Sequence, residues 1–241
     1  ANTAAASASF ATRTLTVTMS DAAAGSVSVP QGTAVVLSVT NVRTPSSVVA
    51  TVSTSSITTQ DAAGKNIDTV ADVETDAIVA GALTSMSFSS AAAATPGIAG
   101  LATVGFTTAG QVAVGGKVVV TFPTHTEAPQ FGFNTNDDTT PTVLFTKPSG
   151  TEPTATGAFP SGAVLTLTTT GSNKLLQATA HEFTIADLRN PSSVVAATTL
   201  SVTTMDAADK VCDGPATVAT PQILAGALTS MSFSSAAAAT P

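Results

Sequence analysis

The chain contains few side chains of the kinds that perform chemistry in active sites. Its only histidines are His125 and His181. His125 lies in a Pro-Thr-His-Thr-Glu-Ala-Pro loop, and His181 precedes Glu182 at the start of a strand-like segment. A Ser-His-Asp site of the hydrolase type also needs its serine on a sharp Gly-x-Ser-x-Gly turn, and the sequence contains no such motif. We therefore expect both histidines to be structural, and we predict no catalytic residues and no enzyme activity.

Cys212 is the only cysteine, so an intrachain disulfide is excluded. A single cysteine in an apolar segment is most often a small buried residue, and this is the role that we expect for it. A reactive thiol or a disulfide to a second chain is the alternative.

Metal binding is the other chemistry to consider. One cysteine and two histidines do not provide the ligands of a structural zinc site. Calcium prefers six to eight oxygen ligands, and two acidic clusters carry carboxylates and amides close together. These clusters are Asn134, Asn136, Asp137 and Asp138, and Asp68, Asp72, Glu74 and Asp76. Because neither has the spacing of a known calcium loop, we expect solvated turns and no cofactor. Calcium binding at these clusters is the alternative.

Charge limits the classes of partner. The formal net charge is −7, and lysine and arginine together number eight. So few cations cannot build the basic patch that nucleic acid or an anionic membrane requires. No apolar stretch approaches the roughly 20 residues of a membrane-spanning helix, so membrane insertion is not expected. The chain begins without Met or a signal peptide, and we expect a processed product or a segment of a longer protein.

The segments that would position these residues have the residue pattern of β-strands. Tryptophan and tyrosine are absent, ten phenylalanines supply the aromatic bulk, and charged residues make up only 10% of the chain. Thr and Val alternate with other residues between Gly- and Pro-rich turns, as in the segment with Leu15, Val17 and Met19 on one face. Many short strands with regular turn signals predict an all-β fold built as β-sandwiches.

A repeated stretch organises the chain. Residues 81–96 and 226–241 are identical, which indicates a tandem repeat of 145 residues. The stretch itself reads as a strand, because Thr84, Met86 and Phe88 alternate with serines. Outside the stretch, residues 41–50 match 187–196 at an offset of 146.

We predict two tandem β-sandwich domains from this repeat. The first, residues 1–80, lacks its opening strands; the second, residues 81–225, is full-length; residues 226–241 form a connecting strand. The sequence leaves a second phasing open, in which the stretch ends a module and the bodies are 1–96 and 97–241. The pairing partner of residues 83–90 distinguishes the two phasings.

The segment Gly-Lys-Val-Val-Val-Thr-Phe-Pro at residues 116–123, followed by Asn-Pro-Ser-Ser at 190–193, resembles a family of immunoglobulin-like surface repeats. The resemblance covers residues 81 to about 210, and the first body from its Thr-Pro-Ser-Ser turn onward. It implies a sandwich fold, an extracellular or cell-surface location, a structural or adhesive role, and no catalytic residues. The near-identity of the repeats is also similar to subunits of extracellular fibrils that exchange strands between modules.

We expect a structural subunit of an extracellular filament whose partners are copies of itself. A sandwich that lacks a strand exposes an unpaired edge, which a strand from a neighbour can complete. Such contacts are head-to-tail and do not close, so they generate a fibre. We predict that the subunit-connecting strand fills its slot with Leu228, Met231 and Phe233. The intrachain equivalents are Leu83, Met86 and Phe88.

Two further expectations concern sugars. Threonines and serines near proline, as at residues 140–142 and 152–154, are acceptors for O-linked glycans. A surface adhesin or carbohydrate-binding module in a longer repeat protein is the alternative function. The absence of tryptophan and tyrosine, which form the usual sugar platforms, counts against this alternative.

Overall fold

The computed structural model describes residues 5–20, 29–90, 94–125, 130–133, 140–161 and 163–234. Within these residues the structure contains antiparallel β-sheets and no helix, which confirms the predicted all-β class. The chain divides into two compact units, Ala1–Arg43 and Thr44–Pro241. The acidic cluster at 134–138 lies outside the described residues.

The first unit contains one hairpin, formed by β1 (Ala5–Ala11) and β2 (Thr14–Ser20). Residues 33–42 also alternate in the sequence and predict a strand, but this prediction is wrong, because the described residues 29–43 form no strand. Their large apolar side chains, such as Val36 and Leu37, are exposed. A strand needs a neighbouring strand to pair with and a face to bury, and no described strand of this unit pairs with residues 33–42.

The second unit contains a two-sheet body formed by ten strands. One sheet has the strand order β10-β11-β7-β13-β14. In chain order its strands are β7 (Lys117–Thr121), β10 (Thr154–Ser161), β11 (Val164–Thr170), β13 (Thr199–Met205) and β14 (Val211–Ala219). The other sheet has the order β5-β6-β12-β8, and β9 also pairs with β12. Its strands are β5 (Thr84–Ser90), β6 (Ala99–Thr107), β8 (Gly132–Phe133), β9 (Val143–Lys147) and β12 (Ala180–Arg189).

A single hydrophobic core joins the two sheets. Alternate residues of β7, β11 and β13 meet alternate residues of β6 and β12, as the two-residue period of a half-buried strand requires. Phenylalanine rings connect the sheets directly. Phe133 of one sheet meets Phe159 of the other edge to face, with ring centroids 4.9 Å apart, a favoured arrangement for aromatic pairs.

Two further strands of the second unit, β3 (Val52–Gln60) and β4 (Asn66–Thr75), form a separate two-stranded sheet. The described part of residues 1–80 forms two hairpins, β1–β2 and β3–β4, and the smaller sandwich expected for residues 1–80 stays a prediction. In the two-sheet body β7 pairs with β11 on one side and with β13 on the other, and no strand takes the place of β7 among the described residues of 1–80.

Candidate assembly site

The first copy of the repeated stretch is built into the two-sheet body. β5 pairs with β6, which follows it in the chain. Leu83 is 6% exposed, and Met86 and Phe88 pack against the core. The Phe88 ring meets the ring of Phe122 edge to face, with centroids 6.3 Å apart. The stretch therefore supplies the first strand of the sheet that follows it in the chain.

Gly81 fixes the start of this stretch to β14. Its N–H donates to the carbonyl oxygen of Cys212 at 2.9 Å, and its own carbonyl accepts from the N–H of Gly214 at 2.8 Å. A Cβ atom at position 81 would overlap the carboxylate of Asp213 and lie 2.7 Å from the Cβ of Ala109. Because such contacts are sterically forbidden, only glycine fits here without a shift of its neighbours.

Asp213 is the polar centre of this contact. It is fully buried, and its carboxylate accepts from the N–H of Gly110 at 3.0 Å and from the Thr204 hydroxyl at 3.4 Å. The N–H of Asp213 donates in turn to the same hydroxyl at 3.0 Å. A buried carboxylate is tolerated when hydrogen bonds replace its hydration, and these bonds fix the backbone that receives Gly81.

A second contact joins the same two parts of the chain. The N–H of Val48 donates to the carbonyl oxygen of Val211 at 2.8 Å. The buried Ser47 hydroxyl donates to the carboxylate of Asp206. The pKa of Asp206 is lowered, first by the backbone N–H of Lys210 and next by this hydroxyl. The segment after the Thr-Pro-Ser-Ser turn is therefore bonded to the β13–β14 hairpin.

The second copy of the stretch has a different environment. Its described residues, 226–234, form no strand. Leu228, Met231 and Phe233 are 82%, 81% and 93% exposed, whereas their counterparts Leu83, Met86 and Phe88 contribute to the core. Just before this copy, the N–H of Leu224 donates to the carbonyl of Ala94 at 2.6 Å. The role of 226–241 as a connecting strand stays a prediction, and residues 235–241 lie outside the described part.

The β3–β4 and β13–β14 hairpins are the same element in two settings. In each, one aspartate, Asp61 or Asp206, accepts through Oδ1 from the N–H groups two and four residues later, at 2.8 to 2.9 Å. Thr59 donates to Asp68 at 3.0 Å, as Thr204 does to Asp213. These side-chain bonds to nearby backbone set the turn locally. The sequence repeat thus corresponds to a repeat of hydrogen bonds.

Burial separates the two hairpins. Cys212 of β14 is 4% exposed, but its counterpart in β4, Ile67, is 67% exposed. Asp213 is fully buried, but its counterpart Asp68 is exposed. The β3–β4 hairpin therefore has the counterpart of the strand edge that receives Gly81 in the two-sheet body, and there its side chains are exposed.

The residues singled out for chemistry lie in separate structural settings. His181 is buried in β12, with Nε2 3.3 Å from the carbonyl oxygen of Leu176 and its ring 5.8 Å from that of Phe106. Burial lowers the pKa of His181, against an opposing effect of backbone hydrogen bonds to Leu176 and Lys147. The N–H of His125 donates to the side chain of Gln130 at 2.9 Å. Both histidines thus have structural contacts.

Cys212 is buried in the core. Burial, and then the negative charges of Asp206 and Asp213, raise the pKa of its thiol to about 11. A thiol with a raised pKa holds little of the reactive thiolate at neutral pH. This environment is that of a small core residue.

Within the described residues, no three side chains among His, Cys, Asp and Glu are grouped so as to hold a metal ion. Asp68 is engaged with Thr59. The other acidic cluster proposed for calcium lies outside the described part. Calcium binding therefore stays an alternative, with no site among the described residues.

No family model, no curated protein and no solved structure matches the chain. Among the described residues, no helix is long and apolar enough to cross a membrane.

Proposed function

We propose that the chain is a structural subunit of an extracellular filament, in which immunoglobulin-like β-sandwich repeats are joined head to tail by β-strand addition. One observation carries the proposal. The stretch that contains β5 is part of the sheet that follows it, and the identical stretch at 226–234 presents the same side chains to solvent. A strand that links two bodies inside the chain can make the same link to a neighbouring copy.

Burial of exposed apolar side chains would supply the free energy of assembly. Leu228, Met231 and Phe233 are almost fully exposed, and burying a large apolar side chain stabilises by about 1.5–3 kcal/mol. The β3–β4 hairpin also exposes apolar residues, among them Ile57, Ile67 and Val70. Exposed apolar patches of this kind mark interaction surfaces in soluble proteins.

The partners in this proposal are further copies of the chain. The exposed stretch and the exposed hairpin are different surfaces, so the contact between copies is heterologous and extends in one direction. The proposal includes a cell-surface location and O-linked sugars, which the low charge and high threonine and serine content favour. It assigns no catalytic residue, no cofactor, no nucleic acid partner and no membrane insertion.

The test compares the full chain with a chain that ends at Ala225, by electron microscopy and sedimentation at increasing concentration. The full chain should form filaments, and the shortened chain should remain monomeric. A third chain replaces Leu228, Met231 and Phe233 by serine and should behave like the shortened one. A control chain with Ala225→Ser and Ala227→Ser should still form filaments.

Filaments that persist without residues 226–241 would contradict strand addition by this stretch. A chain that stays monomeric at all concentrations and binds a glycan on an array would instead support the adhesin alternative.

A further inference from the structure

The segments before β3 and after β4 contact the β13–β14 hairpin of the two-sheet body, and this junction has two halves. One half, the donor surface, consists of Ser47, Val48 and Gly81. The other half, the acceptor surface, consists of Asp206, Val211 and Cys212 on the β13–β14 hairpin. Three hydrogen bonds run from the donor surface to the acceptor surface: Ser47 hydroxyl to Asp206 carboxylate, Val48 N–H to Val211 carbonyl, and Gly81 N–H to Cys212 carbonyl. A fourth runs in the opposite direction, from the Gly214 N–H to the Gly81 carbonyl.

A second donor surface exists in the repeat, at Ser193, Val194 and Gly226. The backbone that holds the first donor surface is bonded reciprocally between Val49 and Ile78, with N···O distances of 3.0 and 2.8 Å. The backbone of the second is bonded in the same way between Val195 and Ile223, at 3.1 and 2.9 Å. The two donor surfaces therefore have the same supporting frame.

The second donor surface is unoccupied within the described part of the chain. Val194 is 55% exposed and Gly226 is exposed, whereas Val48 and Gly81 are both partly buried at the junction. The N–H groups of Val194 and Gly226 find no backbone acceptor among the described residues. Its Gly226 also precedes the exposed Leu228, just as Gly81 precedes the buried Leu83.

A second acceptor surface exists as well, at Asp61, Asn66 and Ile67 of the β3–β4 hairpin. Its aspartate closes the same turn, as the matching bonds of Asp61 and Asp206 show. All three of its residues are exposed. One chain thus carries an occupied junction and, in addition, one vacant copy of each half.

We propose that the donor surface of one chain binds the acceptor surface of a second copy and repeats the internal junction between chains. The bonds run from the Ser193 hydroxyl to the Asp61 carboxylate, from the Val194 N–H to the Asn66 carbonyl, and from the Gly226 N–H to the Ile67 carbonyl. Leu228 then covers the exposed face of β4. This inference rests on the proposed head-to-tail assembly and specifies its contact.

Two of the three bonds use carbonyl groups of the acceptor backbone, so the exchange of Val211 for Asn66 and of Cys212 for Ile67 leaves them intact. The third uses an aspartate that both hairpins have. Thr69 stands where Gly214 adopts a left-handed backbone with a φ of 91° and donates its N–H to the Gly81 carbonyl. The proposed contact uses the three bonds in the other direction, and none of them passes through this residue. Main-chain pairing of this kind is how strands add to exposed edges.

The decisive experiment joins the two surfaces covalently in the full chain. Asn66→Cys and Val194→Cys are combined, because their counterparts Val211 and Val48 are linked by a backbone bond of 2.8 Å, within the reach of a disulfide. Mild oxidation should give a ladder of dimers, trimers and larger species on a non-reducing gel. Each single variant should give no ladder, since it has one surface cysteine, which links at most two chains, while the native Cys212 is buried.

A matched control combines Asn66→Cys with Ala196→Cys. Ala196 and its counterpart Ala50 are both exposed, so position 196 does not lie in the junction. Thermal unfolding of all variants checks that they fold, which is expected because the changed positions are at the surface. A ladder in the test chain and none in this control supports the proposed contact.

Three outcomes separate the inference from the proposed function. Filaments that form without the ladder overturn the contact but leave filament assembly standing. A ladder that ends at short oligomers without filaments supports the contact and overturns the filament. A chain that neither assembles nor cross-links overturns both.

Discussion

The β3–β4 and β13–β14 hairpins share a turn and a set of hydrogen bonds but differ in what surrounds them. Their aspartates, Asp61 and Asp206, close the turn in the same way. Cys212 is nevertheless buried where Ile67 is exposed. Local sequence is sufficient to form the hairpin, because side-chain bonds to nearby backbone fix the turn. Burial depends on strands that come from elsewhere in the chain.

The two copies of the repeated stretch also differ in structure according to what surrounds them. Their sequences are identical, yet residues 84–90 form a strand and residues 229–234 do not. The first copy has β6 beside it, and the second has no such neighbour among the described residues. Strand formation depends on pairing and packing more than on intrinsic preference.

The largest difference should appear between matched core positions. Phe183 of β12 is fully buried, and Leu37, its counterpart 146 residues earlier, is exposed. Phe183→Ala should lower the free energy of unfolding by about 3–5 kcal/mol through lost burial and a cavity. Leu37→Ala should change it by no more than about 0.5 kcal/mol. Urea denaturation measures both, and equal effects would mean that residues 33–42 are packed in solution.

Valine at the two equivalent glycines tests the junction. Gly81→Val should destabilise the two-sheet body by about 1–3 kcal/mol, because the added Cβ overlaps Asp213. Gly226→Val should lower stability less than Gly81→Val, since its added Cβ makes one tight contact, 3.2 Å from a Thr95 methyl, and overlaps no atom. Gly226→Val should abolish filaments, whereas Ala227→Val should not. Stability is read from thermal unfolding and assembly from sedimentation.

Thiol reactivity distinguishes the two hairpins without a change in stability. Cys212, with a thiol pKa of about 11, should react very slowly with a thiol reagent at pH 8, because burial blocks access and only about one thiol in a thousand is ionised. Ile67→Cys places a thiol at the counterpart position and should react rapidly in dilute chains. In filaments the reaction of the thiol at position 67 with the reagent should become slower. A rate that is unaffected by assembly would place position 67 outside the contact.

The smallest effect concerns pH. Burial lowers the pKa of His181 below its ordinary 6.5, so the unfolded chain binds a proton at a higher pH than the folded chain. Above pH 6.5 the His181 imidazole should therefore not affect the free energy of unfolding. This free energy should fall as the pH drops through 6.5 toward the folded-state pKa of His181. His181→Phe should remove this loss, and His125→Phe should keep it. Urea midpoints between pH 7.5 and 5 measure the difference.

Much of the fold could be predicted from alternation and repetition. The β5 register was readable because Met86 and Phe88 alternate with serines, and the Asp-Ala-Ala turn appears twice. The strand predicted at residues 33–42 failed for a physical reason: its counterpart β12 pairs with β6, β8 and β9, and no described strand offers residues 33–42 the same pairing. Sequence periodicity shows that a segment can pair, but not whether a partner is present.

The candidate assembly site was only partly predictable. Leu228, Met231 and Phe233 stood out because they repeat Leu83, Met86 and Phe88. The contributions of Val48 and Gly81 were not recognised, because a backbone hydrogen bond leaves no pattern in side-chain polarity. The sequence did show that glycine occupies both position 81 and position 226. Only the overlap of a Cβ at position 81 with Asp213 explains why glycine is needed there.

Amide hydrogen exchange tests the central claim most directly, since it measures both junctions in one sample. In dilute chains the N–H groups of Val48 and Gly81, which donate at 2.8 and 2.9 Å, should be protected, and those of Val194 and Gly226 should exchange freely. In concentrated chains all four should be protected. Exchange at Val194 and Gly226 that stays fast in assembled filaments would contradict the repeated junction.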